Sequence, residues 1–208
     1  MYTRIAFFIL VSLALAIPLS AQNNANSDSQ QFTLTSSNFT NNGALPISAI
    51  SNIVQNNLNV CSINGAVGDN RSPELSWTNP PAETRSFVVV LYDVTAAFTH
   101  WGMYNISPNA TGLPNNAGMA GSKFGMQVIN DFFIGAEYDG PCPPAGVSPF
   151  IHRYVFTVYA LDTGLKLPAF ANFPATAETL YNALIQAGQG GHILASASIT
   201  GLYSTTQQ

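Results

Sequence analysis

The sequence predicts a mostly β fold, a sandwich of two antiparallel sheets with a short C-terminal helix. Several short runs are rich in β-branched and aromatic residues, proline and glycine separate them, and a single stretch has helical spacing. Charged residues make up 8% of the chain and apolar residues 47%, which disfavours disorder. The net charge of -4, with no basic cluster in the sequence, disfavours a nucleic-acid partner.

Residues 1–21 have the pattern of a cleaved signal peptide. Arg4 precedes an apolar run that stops at Pro18, and small residues follow it. The run of about 13 residues is shorter than the ~20 that cross a bilayer, so a membrane anchor is the less favoured interpretation. We therefore expect an exported protein, periplasmic or secreted, without a membrane span. A flexible polar lead at 22–30 would precede a single domain at 31–208.

Strand-like runs follow one another along the rest of the chain. A first extended stretch lies at 31–36, whereas 38–60 combines loop signals with near-helical spacing and stays open. The run at 86–93 has the almost continuous apolar pattern of a strand buried on both faces. The other predicted strands are 74–77, 100–106, 152–161 and 192–203.

One amphipathic helix is predicted within 176–191. Thr176 can cap its start, and Glu178 in the first turn suits the helix dipole. Gly188 can end the helix. The apolar stripe consists of Leu180, Tyr181, Leu184 and Ile185.

The chain has two cysteines, Cys61 and Cys142. In an exported protein an even pair suggests a disulfide. It would close a loop of about 80 residues and contribute ~4–5 kcal/mol in the chain-entropy model. Two buried thiols are the alternative. A catalytic role for Cys142 is disfavoured, because prolines flank it and no base adjoins it in the sequence.

Two histidines and one carboxylate at strand ends are the candidates for chemistry. His100 and His152 open strand-like runs, and Asp93 ends one, which is unusual unless the carboxylate meets a pocket or a partner. Residues two apart in a strand share a face, so His152 and Tyr154 point the same way. Separate structural roles and a shared site both remain open. His192 is interpreted as structural or surface-exposed.

Several motifs, in this order and spacing, resemble the phosphatidylethanolamine-binding protein family, closest to its bacterial, Raf-kinase-inhibitor-like branch. They are SPELSW, SFVVVLYD, HWGMYNI, YDGPCPPAG followed by HRYVFTVYALD, and HILASASITGLY. The resemblance covers roughly Phe32 to Tyr203. It implies two antiparallel sheets with a small pocket at one end, which takes phosphate, acetate or a phosphorylated head group.

The resemblance also implies which residues bind the ligand. The family's first pocket aspartate falls on Asp93, the histidine of its His-Trp step on His100, and its His-Arg-Tyr motif on His152 and Tyr154. The rim of the pocket falls on Gly140, Pro141, Cys142 and Pro143. A Cys61–Cys142 bond would tie this rim to the N-terminal segment.

The chain departs from the family at its Asp-Pro-Asp-Ala-Pro motif. The second aspartate is Thr95 here, and both prolines are absent. A carboxylate ~4 Å from a bound anion costs about 4 kcal/mol at an effective dielectric of 20. We therefore expect Thr95 to remove that repulsion and to offer a hydroxyl donor, so that the pocket is at least as receptive to phosphate.

The expected function is that of an exported, non-enzymatic binding protein for a small anion, without cofactor or metal. A protein partner such as a protease, which it would inhibit or modulate, is also expected. The alternative is a metal-dependent or hydrolytic enzyme that uses Asp93, His100 and His152. No Gly-x-Ser-x-Gly motif supports a hydrolase. If either ring must be protonated to hold the anion, binding should strengthen below pH ~6.5.

Overall fold

The computed structural model describes residues 30–168 and 175–205. The predicted signal peptide and all but the last residue of the predicted polar lead lie outside these residues. The strands are β1 (Thr33–Thr35), β2 (Gly43–Ala44), β3 (Val54–Gln55), β4 (Leu58–Asn59), β5 (Leu75–Thr78), β6 (Ser86–Asp93), β7 (Phe98–Ile106), β8 (Gly112–Leu113), β9 (Met126–Gln127), β10 (His152–Leu161) and β11 (Ile193–Tyr203). The helix α1 spans Ala177–Gln189.

The mostly β architecture is confirmed. A six-stranded sheet has the order β2-β11-β10-β6-β7-β9, and a three-stranded sheet has the order β1-β5-β8. Neighbouring strands are antiparallel, except that β2 runs parallel to β11. The short strands β3 and β4 form a separate hairpin. The predicted strands 86–93 and 152–161 coincide with β6 and β10. The first has an unbroken apolar run, and the second alternates between buried and less buried residues.

The central strand β6 is buried on both faces, as its apolar run predicts. Phe87, Val89 and Leu91 belong to the core between the two sheets. Val88 and Val90 point the other way, into a second core beneath α1. This alternation explains why the strand needs apolar residues at successive positions.

Helix α1 covers the second face of the large sheet and is followed by β11, so it is not the last element of the chain. The hydroxyl of Thr176 accepts from the Thr179 N–H at 3.4 Å, which confirms the predicted cap. Leu180 and Leu184 are buried, whereas Ile185 is 56% exposed, so the apolar stripe is narrower than predicted. The helix ends at Gln189 rather than at Gly188. No helix in the two described ranges has the length and apolar character needed to cross a membrane.

The ambiguous stretch 38–60 is not an α-helix. Asn56 and Asn57 join β3 to β4, and both have positive φ, at 50° and 64°. Asparagine tolerates this conformation, and a two-residue turn with positive φ at both positions matches the twist of a hairpin. Turn chemistry therefore overrides the near-helical spacing of the apolar residues.

The ends of four strands meet at one end of the large sheet. Asp93, the last residue of β6, is opposite Phe98 at the start of β7 and opposite Tyr154 near the start of β10. His152, the first residue of β10, pairs with Tyr203 at the end of β11. Because adjacent strands are antiparallel, residues distant in sequence converge here.

Candidate functional site

A small cavity lies at this end of the sheet. Its volume is about 160 Å³, which is small beside the roughly 300–1,000 Å³ of pockets that take drug-sized ligands. The cavity is lined by Asp93, Ala96, Phe98, His100, Phe132, Cys142, Pro143, Pro144, His152 and Tyr154. The structure thus brings together six of the nine ligand-binding residues predicted from the sequence.

Asp93 is 2% exposed, and its carboxylate accepts hydrogen bonds from the following turn and from β10. Its Oδ1 accepts from the backbone N–H groups of Thr95 (2.8 Å) and Ala96 (3.2 Å), which close the turn between β6 and β7. Its Oδ2 accepts from Nδ1 of His152 at 2.6 Å. The carboxylate is therefore both a turn cap and a pocket residue, so the two roles that the sequence left open are compatible.

His152 and Tyr154 share one face of β10, as predicted, and both are buried, whereas Arg153 between them is exposed. Their ring centroids are 6.2 Å apart. Burial, followed by the charge of Asp93 and a hydrogen bond to it, raises the pKa of Tyr154. Its hydroxyl consequently keeps its proton at physiological pH.

His100 lies on the neighbouring strand and is almost completely buried. Its Nδ1 donates to the carbonyl oxygen of Asp139 at 2.8 Å. Burial lowers the pKa of His100, although that hydrogen bond and the charges of Asp93 and Asp139 act in the opposite direction. Because unfolding restores the ordinary pKa, the unfolded chain takes up the proton more readily than the folded protein. The free energy of unfolding therefore decreases through His100 as pH falls below about 6.5.

Two aromatic residues that the sequence reasoning missed complete the wall. The centroid of the Phe98 ring lies 4.8 Å from that of Phe132 and 5.0 Å from that of His100. The centroids of His100 and Phe132 are 5.4 Å apart. Phe98 precedes His100 by two residues in the same strand, so strand alternation could have found it. Phe132 lies in an irregular segment where Asn130 Oδ1 accepts from its N–H, and no pattern in the sequence predicts that position.

The predicted Cys61–Cys142 disulfide is present and the alternative of two thiols is wrong. Its Cα atoms are 4.3 Å apart. Cys142 and Pro143 line the cavity, and so does Pro144, which was not predicted. The bond ties this rim to the chain just beyond β4.

Gly140 and Pro141 are not among the lining residues, contrary to the prediction. The N–H of Gly140 donates to Asn70 Oδ1 at 2.7 Å, and the carbonyl of Pro141 accepts from the Ser51 N–H at 3.2 Å. They support the rim from behind, because this stretch packs tightly against the backbone at 49–51.

Replacing Gly140 with alanine should lower the free energy of unfolding by about 2–3 kcal/mol, as overpacking of a tight core does. A Cβ there would lie 2.1 Å from the Ala49 carbonyl oxygen and 2.7 Å from the Ser51 nitrogen, both backbone atoms. Urea unfolding measures the change. The control is Gly188→Ala, where the nearest atom is 3.7 Å away and alanine should stabilise the helix by up to about 1 kcal/mol. Equal stability of Gly140→Ala and the wild type would contradict the packing described.

Thr95 does not line the cavity. The prediction that its hydroxyl donates to the ligand is therefore wrong. Its Oγ1 accepts from the Arg153 backbone N–H at 2.9 Å, and Ala96 occupies the wall instead. Because the backbone N–H groups of Thr95 and Ala96 donate to Asp93 Oδ1, the turn directs the Thr95 side chain toward β10. A ligand in the cavity therefore does not meet the Thr95 hydroxyl, and the expected gain in phosphate binding from this residue has no structural basis.

The metal site of the enzyme alternative is not formed. Within residues 30–168 and 175–205, no group of three His, Cys, Asp or Glu side chains is arranged to hold a metal ion. Asp93 and His152 bond directly to each other, and Nδ1 of His100 turns to a backbone carbonyl. His192, predicted to be structural or exposed, contacts Asp162 at 2.9 Å and is about half exposed.

Known proteins resemble this chain in both sequence and fold. The model of the phosphatidylethanolamine-binding protein family matches residues 35–204. A UPF0098 protein of Methanothermobacter thermautotrophicus is 39% identical over 141 residues, 65% of this chain and 84% of that protein. YbhB of Escherichia coli, also a UPF0098 protein, is 36% identical over 146 residues, 67% of this chain and 85% of its own length. The crystal structure of E. coli YbcL, described as a new member of the mammalian PEBP family, superposes with a TM-score of 0.63 at 30% identity. The superposition covers 83% of this chain and 98% of YbcL.

Proposed function

The chain belongs to the phosphatidylethanolamine-binding protein family, a family of binding proteins, and on this basis we propose that its pocket binds a small oxyanion without chemical conversion. The ligand would be phosphate or a phosphorylated head group. One observation carries this proposal: Asp93, His100, His152 and Tyr154 come from three strands and converge on one cavity of about 160 Å³. Converging polar groups in a small, otherwise apolar cavity are the usual mark of a ligand site.

Exposed apolar side chains next in sequence to two lining residues support a larger, partly apolar partner. Phe133 and Ile134, next to the wall residue Phe132, are 75% and 73% exposed. Phe150 and Ile151, just before His152, are also exposed. Large apolar side chains that stay exposed at neighbouring positions favour an interaction surface. We propose that the head group of an amphiphile enters the pocket, or that a protein partner such as a protease is engaged and modulated there.

Export is part of the proposal. The disulfide fits an oxidising compartment. The predicted signal peptide at 1–21 lies outside the described residues and remains a prediction, as does the single domain at 31–208.

The binding proposal is tested by calorimetric titration of inorganic phosphate and phosphoethanolamine into the full mature chain. The wild type should bind at one site, and His152→Ala should bind at least about tenfold more weakly, because it removes a ring that lines the cavity. His192→Ala is the matched control, since this ring also contacts an aspartate but lies at the opposite end of the sheet. Unchanged affinity in His152→Ala, or no binding by the wild type, would refute the proposal.

A further inference from the structure

Asp139 is a buried carboxylate that forms no ion pair within residues 30–168 and 175–205. It is 8% exposed, and both of its oxygens accept from asparagine amides. Oδ1 accepts from Nδ2 of Asn70 at 3.2 Å, and Oδ2 accepts from Nδ2 of Asn130 at 2.7 Å. A carboxylate offers an acceptor at both oxygens, whereas an amide in its place offers one acceptor and one donor. Position 139 therefore needs an aspartate for its hydrogen bonds rather than to pair with a cation.

The backbone of Asp139 is joined to His100 twice. Its N–H donates to the carbonyl oxygen of His100 at 3.1 Å, and its own carbonyl oxygen accepts from Nδ1 of the ring at 2.8 Å. A carbonyl oxygen can only accept, so Nδ1 carries a hydrogen whether the ring is neutral or charged. The position of residue 139 therefore decides where Nδ1 points, and with it where Nε2 points.

Packing alone does not fix the orientation of the His100 ring. The ring packs edge to face with Phe132 and Tyr154, with centroid distances of 5.4 and 5.2 Å. An imidazole rotated by half a turn about its Cβ–Cγ bond has almost the same shape, so these contacts accept both orientations. In the rotated ring Nδ1 would leave the Asp139 carbonyl, and a buried N–H without an acceptor is costly. The hydrogen bond to residue 139 is thus the contact that selects the orientation.

The two asparagines connect the carboxylate to other parts of the pocket. Asn130 is completely buried, and its Oδ1 accepts at 2.9 Å from the N–H of Phe132, a lining residue. The Oδ1 of Asn70 accepts at 2.7 Å from the N–H of Gly140, which supports the rim. The carboxylate therefore joins the segment of Phe132 to the segment of Gly140, and the acceptor of the histidine ring lies between them.

Building on the proposed function, in which His100 meets the ligand, we infer that Asp139 is a positioning residue of the binding site. Its carboxylate, held by Asn70 and Asn130, keeps the His100 ring in its binding orientation. Asp139 is not among the residues that line the cavity, so it acts through the ring. Loss of a partner that orients a metal-bound histidine weakens binding by about 10- to 100-fold, and an effect at the lower end of this range is expected here.

The variant Asp139→Asn should break one contact of this unit. Because Asn130 is completely buried and only 2.7 Å away, the new carbonyl oxygen must face it. The new amide nitrogen then meets Nδ2 of Asn70, so that two donors oppose each other. The double variant Asn70→Asp, Asp139→Asn restores a donor and an acceptor there, and the new carboxylate still accepts from the N–H of Gly140. It gives up the longer contact to the Tyr138 carbonyl, at 3.4 Å.

Two measurements on the full mature chain test the inference. NMR follows the hydrogen on Nδ1 of His100, which should exchange slowly in the wild type and the double variant and at least about tenfold faster in Asp139→Asn. Calorimetry uses inorganic phosphate as the probe. Binding should be about tenfold weaker in Asp139→Asn and should return to within about threefold of the wild type in the double variant.

Ser86→Ala is the matched control. Ser86 is 4% exposed, and its hydroxyl donates to the carbonyl oxygen of Thr163 at 2.6 Å, at the far end of β6. This variant also loses a buried hydrogen bond, so its resistance to urea should fall. Its His100 signal and its phosphate affinity should stay at the wild-type values. The comparison separates positioning of the ring from a general loss of stability.

Each outcome decides the role of Asp139. Wild-type exchange and affinity in Asp139→Asn would overturn the inference, and so would equal losses in Ser86→Ala or a double variant that recovers neither value. If the wild type does not bind phosphate, the proposed function fails, and the exchange of the ring hydrogen still decides the inference. Should Asp139→Asn not fold, Asn70→Gly takes its place. It removes one of the two amides, glycine readily adopts the φ of 50° at this position, and both losses are expected.

Discussion

Replacing Asp93 with alanine is expected to lower the free energy of unfolding by about 2–4 kcal/mol and to weaken phosphate binding, because the turn at 95–96 and the His152 ring lose the group that positions them. The carboxylate accepts from the backbone at 95 and 96 and from the ring of His152, and it is buried. Alanine leaves these donors without their buried partner, and each such loss costs about 1–3 kcal/mol, although the losses are not fully additive. Urea unfolding and calorimetric titration with phosphate measure the two effects.

The control for this variant is Asp162→Ala. Asp162 and His192 form the same type of contact, but their side chains are 35% and 51% exposed, so the loss should stay within about 0.5 kcal/mol. Wild-type stability in Asp93→Ala would show that the buried pair does not support the turn. Retained phosphate binding would remove Asp93 from the ligand site.

Loss of the disulfide is expected to have the largest effect on stability. The bond joins cysteines 81 positions apart, and the chain-entropy model gives a contribution of about 4–5 kcal/mol for such a loop. The double variant Cys61→Ala, Cys142→Ala should therefore unfold at much lower urea concentration. It should also bind phosphate more weakly, because Cys142 and Pro143 form the rim.

Reductant provides the control for this prediction. It should lower the stability of the wild type toward that of the double variant and should leave the double variant unchanged, since the chain has no other cysteine. Equal stability of oxidised wild type and double variant would mean that the bond constrains the unfolded chain much less than its loop length predicts.

The elements that the sequence predicts most closely are those with a strong local pattern. Strands β6 and β10 were placed to the residue, because one is continuously apolar and the other alternates. The start of α1 was found from the Thr176 cap. His152 and Tyr154 were placed on one face by the period of two residues alone.

The parts that were missed depend on contacts distant in sequence. Phe132 reaches the wall through an irregular segment, and the Asp139 carbonyl that orients His100 leaves no trace in the local pattern. The family motif predicts Thr95 in the pocket because it replaces an aspartate, yet in the turn its Oγ1 accepts from the Arg153 N–H of β10. Alignment with a motif identifies the position of a residue, whereas the direction of a side chain in a tight turn depends on its hydrogen bonds.

The central claim is that Asp93, His100 and His152 form one oxyanion site, and the three histidines of the chain allow a direct test. Phosphate is titrated into the protein near pH 6.5 while NMR follows the ring signals of all three. The account predicts saturable, simultaneous shifts of His100 and His152, whereas His192, beside Asp162 at the other end of the sheet, stays fixed. Rings at 100 and 152 that do not respond, or that respond no more than His192, would contradict it.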